Sequence, residues 1–236
     1  MSNLLLLGVS GSAAAAPATD ITPALLAAIE RDGTVDNNET ITTTVAASGN
    51  HPVLVVVNLR HSGAGNSLQD ISATLDGGAM TRRIQYGTTA NFQTSFFWMA
   101  STSVPAGTFD VVVTDGTTTF NGVSIYIFEM ENAKDDQTGA VDGSATGLTS
   151  ATSKSPSVTT GTNDSLAVHT CISPVVMTSV TGADTVADDG TTNSGNASTW
   201  CGLAYELVAV AGAATATFNF GSTTPANGAS IEILKA

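Results

Sequence analysis

Apolar and polar residues alternate along much of this chain. Val123-Ser124-Ile125-Tyr126-Ile127-Phe128 and Ser230-Ile231-Glu232-Ile233 place an apolar side chain at every second position, the period that gives a strand one buried face. Val53–Val57 is apolar throughout, as expected of a central strand covered on both sides. From Thr40 onward such runs are punctuated by Gly, Asn and Asp. They predict strands at Thr40–Ala46, Val53–Arg60, Asp70–Leu75, Met80–Tyr86, Phe92–Ala100, Phe109–Thr114 and Val123–Met130. A second set follows at Ser157–Thr160, Leu166–Ile172, Met177–Val180, Thr185–Ala187, Thr199–Val208, Ala214–Phe220 and Ser230–Leu234. Asp76-Gly77-Gly78 suits a tight hairpin. One segment reads differently. Thr22 as a cap, Pro23 in the first turn and Gly33 as a stop predict a short helix over Pro23–Arg31.

The two sets of strands repeat one another. Residues 121–128 read N-G-V-S-I-Y-I-F and residues 227–234 read N-G-A-S-I-E-I-L. Residues 43–57 align with 156–169 once one residue is deleted, and Gly87-Thr88-Thr89 recurs as Gly190-Thr191-Thr192. Each triplet precedes an aromatic segment, Phe96-Phe97-Trp98 and then Trp200. The matches keep their order, so the chain reads as an internal duplication. The expected fold is an all-β sandwich, jelly-roll or Greek-key in connection, made of two duplicated halves. Residues 40–130 and 156–236 are the repeats, joined by a polar linker at 131–155 and related by a pseudo-twofold. Residues 1–39 are a separate arm and helix.

Composition narrows the function. Of 236 residues, 42% are apolar and only 11% charged, well under the usual quarter. Gly, Thr, Ser, Ala and Asn fill the gap, as on extracellular and particle-surface β proteins. Seven Lys+Arg against 20 Asp+Glu give a net charge of −13, which disfavours nucleic acid and anionic membranes as partners. No window approaches the run of apolar residues that a spanning helix requires. Cys171 and Cys201 are too few for a disulfide scaffold and read as buried thiols, with a bridge between adjacent strands as the alternative. Leu4-Leu5-Leu6-Leu7 mimics a signal peptide, but no Lys or Arg precedes it. It reads instead as an arm that docks on protein.

The strand pattern resembles a jelly-roll-like β-sandwich module that recurs in tailed-phage structural proteins and in bacterial surface proteins. Thr40–Val45, Val53–Val57, Gly77-Gly78-Ala79-Met80-Thr81, Phe96-Phe97-Trp98, Pro105-Ala106-Gly107-Thr108 with Val111–Thr114, and Ser124–Ile127 carry the likeness. It covers roughly residues 40–236. It implies a fold and a setting, and no catalytic residue.

Candidate chemistry is sparse. His51, His61 and His169 stand at no recognised catalytic spacing. His169 and Cys171 share a strand face, and Cys201 on a neighbouring strand could complete three soft ligands, one short of a structural zinc site. Asp184, Asp188, Asp189, Asn193 and Asn196 are oxygen ligands of the kind calcium takes, and also ordinary turn formers. Asp135-Asp136 is a weaker candidate of the same kind. Glu129, Glu206 and Glu232 read as outward or edge positions. Trp98 and Trp200 read as core residues at comparable places in the two copies. Arg82-Arg83, the only basic doublet, reads as a charged hairpin edge.

A surface-type sandwich without an export signal reaches the outside by lysis. The expectation is therefore a non-catalytic virion protein of a tailed phage, most plausibly a head decoration (cement) protein. Its partner would be the major capsid protein or another virion protein, bound through Leu4, Leu5, Leu6, Leu7, Leu25, Leu26 and Ile29, with self-association into a homo-oligomer. No metal, cofactor, nucleic acid or membrane is expected. The alternatives are a tail or fibre component, or a glycan-binding adhesion module. A concave groove with an exposed Trp or Tyr would favour the last.

Overall fold

The computed structural model describes residues 20–32, 40–61, 70–87, 92–115, 120–145, 150–188, 190 and 199–236. The first half of the chain holds β1 (Thr22–Asp32), β2 (Thr40–Ala47), β3 (Val53–His61), β4 (Ile71–Leu75), β5 (Gly78–Ala79), β6 (Thr81–Gly87), β7 (Phe92–Met99), β8 (Gly107–Asp115) and β9 (Phe120–Glu131). The second half holds β10 (Asp142–Ala145), β11 (Ala151–Lys154), β12 (Ser157–Thr159), β13 (Ser165–Ser173), β14 (Met177–Thr181), β15 (Thr185–Asp188), β16 (Trp200–Val208), β17 (Ala213–Thr215), β18 (Thr217–Thr224) and β19 (Asn227–Ile233). Every named pairing is antiparallel. The fold is an all-β sandwich.

The sheets stack in four layers. An outer sheet β2-β8-β4-β5 covers an inner sheet β1-β9-β3-β7-β6. A second inner sheet, β10-β19-β13-β16-β15, is covered by β11-β18-β14 and β12-β17. Ile41, Val55, Phe97, Phe109 and Ile127 fill the first outer core. Cys171, Met177, Ala204 and Phe218, with Val158, Ala167 and Ala214, fill the second. Between them the two inner sheets meet through Leu54, Val56, Phe96, Trp98, Tyr126 and Phe128 on one side and Leu166, Val168, Cys201, Leu203, Ile231 and Ile233 on the other. This explains why Val53–Val57 is apolar without alternation: both its faces lie in cores.

Buried polar pins align the inner sheets. Asn58 on β3 donates from Nδ2 to Thr170 Oγ1 on β13 at 2.8 Å and accepts from Thr94 Oγ1 at 2.8 Å. Thr170 in turn donates to the Gly202 carbonyl at 2.9 Å. Tyr126 donates to Asp188 Oδ2 at 2.7 Å, and Asn227 donates to the Tyr86 carbonyl at 3.0 Å. Burial, the neighbouring Cys201 and Asp188, and that hydrogen bond push the Tyr126 phenol well above its ordinary value.

Three sequence expectations are corrected. Pro23–Arg31 is not a helix but part of β1, the edge strand of the first inner sheet, paired with β9 from Thr22↔Glu131 to Asp32↔Gly122. A lone helix of this length is marginal in water, whereas pairing with β9 supplies a full ladder. Segments of the expected linker 131–155 are β10 and β11. The N-G-x-S-I motif is out of step with the fold. It matches Ile125 and Ile127 to Ile231 and Ile233, yet the first pair faces an outer core and the second the central one. The β9 residues that share the central core are Tyr126, Phe128 and Met130. A slip of one residue moves every side chain to the other face, so the motif alone does not establish equivalence. Likewise Trp98 sits near the end of β7 while Trp200 opens β16.

Replacing Asn58 with Ala should lower the unfolding free energy by about 1–3 kcal/mol, because Thr94 and Thr170 lose a buried partner. Urea denaturation of the full chain measures it. The cost of Asn58→Ala combined with Thr170→Val should fall short of the sum of the single changes. An unchanged midpoint for Asn58→Ala would show that the central pin contributes nothing.

Candidate functional site

Strand direction gives the stack two unlike poles. β1, β3, β6 and β8 end, and β2, β4, β7 and β9 begin, at one pole. The matching ends in the second half face the same way, since Tyr86 meets Asn227 and Gly122 lies against Thr199. The opposite pole carries the turns at 48–52, 100–106, 161–164 and 209–212, Asp20 and the C-terminal Ala236, and there Lys235 pairs with Asp20 at 3.3 Å.

Two glutamates lock turns at that second pole. Glu129 accepts from the Ser48 backbone N–H at 3.0 Å and from Ser48 Oγ at 2.5 Å. The turn needs Gly49, whose φ is +81° and whose missing Cβ would strike Ala106. Glu232 accepts from the backbone of Val141, Gly161 and Thr162 and from the Thr162 hydroxyl, at 2.9–3.1 Å. Burial raises its carboxyl pKa, but the hydrogen bonds to its charged form outweigh that and hold it below the ordinary value. These carboxylates were expected to face outward. They are buried because a second core covers what would otherwise be the solvent face.

His61, His169 and both cysteines are buried, while His51 lies half-buried in the turn before β3. His169 is fully buried, its Nδ1 2.7 Å from Ser230 Oγ and its Nε2 3.3 Å from Glu206 Oε1. These residue types are those of a hydrolytic triad, but Ser230 has no exposed surface for a substrate to reach. The set ties β19, β13 and β16 together. His61 is held by Gln93 at 3.2 Å, and burial lowers its pKa. Cys171 faces the outer core and Cys201 the central one, so they cannot join His169 around one metal. Both thiols are free and buried, and burial pushes both up. Among the described residues no group of three His, Cys, Asp or Glu is placed to hold a metal ion. Asp184 caps the Leu207 N–H and Asp188 the Gly190 N–H, turn roles rather than a shared cation. Asp189, Asn193 and Asn196 lie outside the described residues.

Of the expected anchoring residues, Leu26 and Ile29 pack on the chain's own first core. Leu25 is 47% exposed. Leu4, Leu5, Leu6 and Leu7 lie outside the described residues.

The described surface includes a concavity that sequence reasoning missed. An open cleft of about 480 Å³ lies at the turn-bearing pole between β6, β7 and residues 135–138. Its walls are fixed. Trp98 Nε1 donates to the Asp135 carbonyl at 3.0 Å, and the Asp135 carboxylate accepts from Ser101 N and Ser101 Oγ at 2.6 and 2.8 Å. Gln137 accepts from Leu234 N–H and donates to the Lys134 carbonyl. Arg83, at one side, pairs with Asp142 at 2.7 Å and donates to the Glu232 carbonyl. The clue in sequence was Trp98 followed by Met99, Ala100, Ser101 and Thr102, but the wall at 135–138 comes from a segment that reads as linker. No family model, curated protein or solved structure matches this chain.

Two outcomes follow. Both thiols should resist a thiol reagent in the native protein and both should react after denaturation, where none would react had a disulfide formed. Glu232→Gln should destabilise the fold at neutral pH. Because the folded pKa is depressed, that contribution is present above the ordinary carboxylate value of about 4.3 and is lost as pH falls through the folded value. The gap between wild type and variant in urea midpoint should therefore close on acidification. A gap that widens would contradict the assignment.

Proposed function

We propose that this chain is a non-catalytic structural protein of a tailed-phage virion, a head decoration protein that binds the capsid surface. The observation that carries this reading is the strand order. β1 pairs with β9, β2 with β8, and β3 lies between β9 and β7. This is jelly-roll winding, an architecture of viral coat and lectin domains. The likeness is one of fold and supports a setting rather than a chemistry.

The second half has corresponding neighbours: β10 with β19, β11 and β12 with β18 and β17, and β13 between β19 and β16. We read the halves as duplicates. Contacts of β3 with β13, β7 with β19 and β6 with β10 are those a pseudo-twofold along β3 and β13 would give. The poles support the orientation. The chain enters the described fold at Asp20, at the pole opposite the start of β9, so residues 1–19 would tether the protein while the far pole projects. Homo-oligomerisation on a symmetric shell belongs to the same proposal.

The test is co-sedimentation with assembled cognate capsids, with capsid heat resistance as a second readout. Deleting residues 1–19 should leave the β1 ladder and the fold intact and abolish co-sedimentation. A longer deletion through residue 33 would remove β1 itself, so it cannot separate binding from folding. If the shorter variant decorates capsids as well as the full chain, these residues are not the anchor. If the full chain binds no capsid, the decoration role is wrong.

A further inference from the structure

All but one of the edge strands among the described residues are defended against pairing with another chain. An edge strand offers a row of unpaired backbone N–H and C=O groups, and proteins blunt it with charge, proline, bulges or shortness. β1 carries Pro23, a bulge between Leu25 and Ala27, and then Glu30, Arg31 and Asp32. β6 carries Arg82 and Arg83 and a bulge between Arg82 and Ile84. β15 has Asp188 and a bulge after Val186, β14 a bulge after Met177, and β11 has Lys154 and a bulge after Ala151. β10 is four residues long and opens on Asp142, while β5, β12 and β17 are two or three residues long. β2 is the exception. Thr40–Ala47 runs for eight residues without charge or proline, and its register with β8 is unbroken from Thr40↔Thr114 to Ala47↔Gly107. Among the described residues its other edge meets no strand.

We propose that the β2 edge pairs with the β2 edge of a second copy of this chain, antiparallel about a twofold axis at Thr43. The two four-stranded outer sheets then join as one sheet of eight strands. The axis stands perpendicular to the sheet, because both cores must lie on the same side of it. Odd positions therefore face odd ones and even positions even ones. Ile41 meets Val45 of the second copy on the core side, and Thr42 meets Thr44 of the second copy on the solvent side. β-Branched pairs and Thr–Thr hydrogen bonds of this kind stabilise a sheet. Thr44 Oγ1 already donates to Asp110 Oδ1 at 2.6 Å, which leaves its lone pairs to accept from the Thr42 hydroxyl across the seam. Charge favours the same occupant. A chain of net charge −13 meets its copy along β2 with no ionised side chain on either strand, whereas a charged segment of another protein would find no counter-charge there. With one such edge on each chain, the pairing closes at a dimer. It gives a surface to the self-association proposed above but does not rest on the capsid reading, and it is tested on the free chain.

Sedimentation equilibrium of the full chain provides the test. The mass should rise from the 23.7 kDa of one chain to twice that as the concentration passes on the order of 10 μM, as suits a small interface. Over the same range the amides of residues 40–47 that do not bond β8 should gain protection from hydrogen exchange. Two double variants at exposed positions examine the register. Thr42→Lys with Thr44→Lys sets lysine against lysine twice across the axis and should raise the dissociation constant about tenfold or more. The added lysines make the chain less acidic, which alone would favour association, so the loss reports the local clash. Thr42→Glu with Thr44→Lys sets glutamate against lysine at the same places, leaves the net charge unchanged and should dimerise within about threefold of wild type. Circular dichroism should show both variants folded as wild type. Three results would overturn the proposal: a wild-type chain that stays single at every concentration, a lysine–lysine variant that dimerises as well as wild type, or a glutamate–lysine variant that dissociates as readily as the lysine–lysine one. A single chain whose β2 amides nonetheless resist exchange would also overturn it, and would assign the edge to a segment of the same chain.

Discussion

Both inner sheets are covered on both faces by buried cores, and the whole molecule follows from that. Val55 and Ile127 point into one core while Val56 and Tyr126 on the same strands point into another. An inner sheet with a single partner would leave Leu54, Phe96, Phe128, Leu203 and Ile231 in water. Each such side chain is worth about 1.5–3 kcal/mol when buried, an upper figure because unfolded chains already hide part of it. The halves are therefore bound to each other by the same effect that builds each half. Asn58 and Thr170 add little to this total, since a buried hydrogen bond nets about 1 kcal/mol. Their consequence is alignment. Any sliding of one inner sheet over the other would strand an amide and two hydroxyls in an apolar layer, at a cost above the bond's own worth.

The same constraint decides how the polar residues are spent. With so much of the chain in cores, the few carboxylates and imidazoles that lie on strands must be satisfied inside. Glu129 and Glu232 hold turns through backbone N–H groups, and His169 bridges Ser230 and Glu206. Residue types that suggest catalysis in a sequence thus become structural in this fold.

Much of the fold was legible. The strand periods and the double-sided burial of Val53–Val57 come through in local pattern. The errors share a cause in long-range packing. Ala24-Leu25-Leu26-Ala27-Ala28-Ile29 favours a helix locally, and only β9 alongside makes it a strand. Ser230-Ile231-Glu232-Ile233 alternates as if one face met solvent, but that face lies under a further layer. The recurrence of N-G-x-S-I was visible, but not that its isoleucines enter different cores, because long-range packing decides which core each one meets. The cleft was the least legible feature. Its two walls, Trp98 and residues 135–138, are distant in sequence and joined by a backbone carbonyl that no side-chain pattern reports.

The most direct test of the central claim is equilibrium unfolding followed separately in each half. Trp98 lies in the first half and Trp200 in the second, so Trp200→Phe and Trp98→Phe leave one native fluorophore in each. If the central layer fuses the halves, both single-tryptophan proteins unfold in one transition when monitored by fluorescence and by far-ultraviolet circular dichroism, with coincident curves. Two separated transitions, with one tryptophan released while the other half stays folded, would contradict the account.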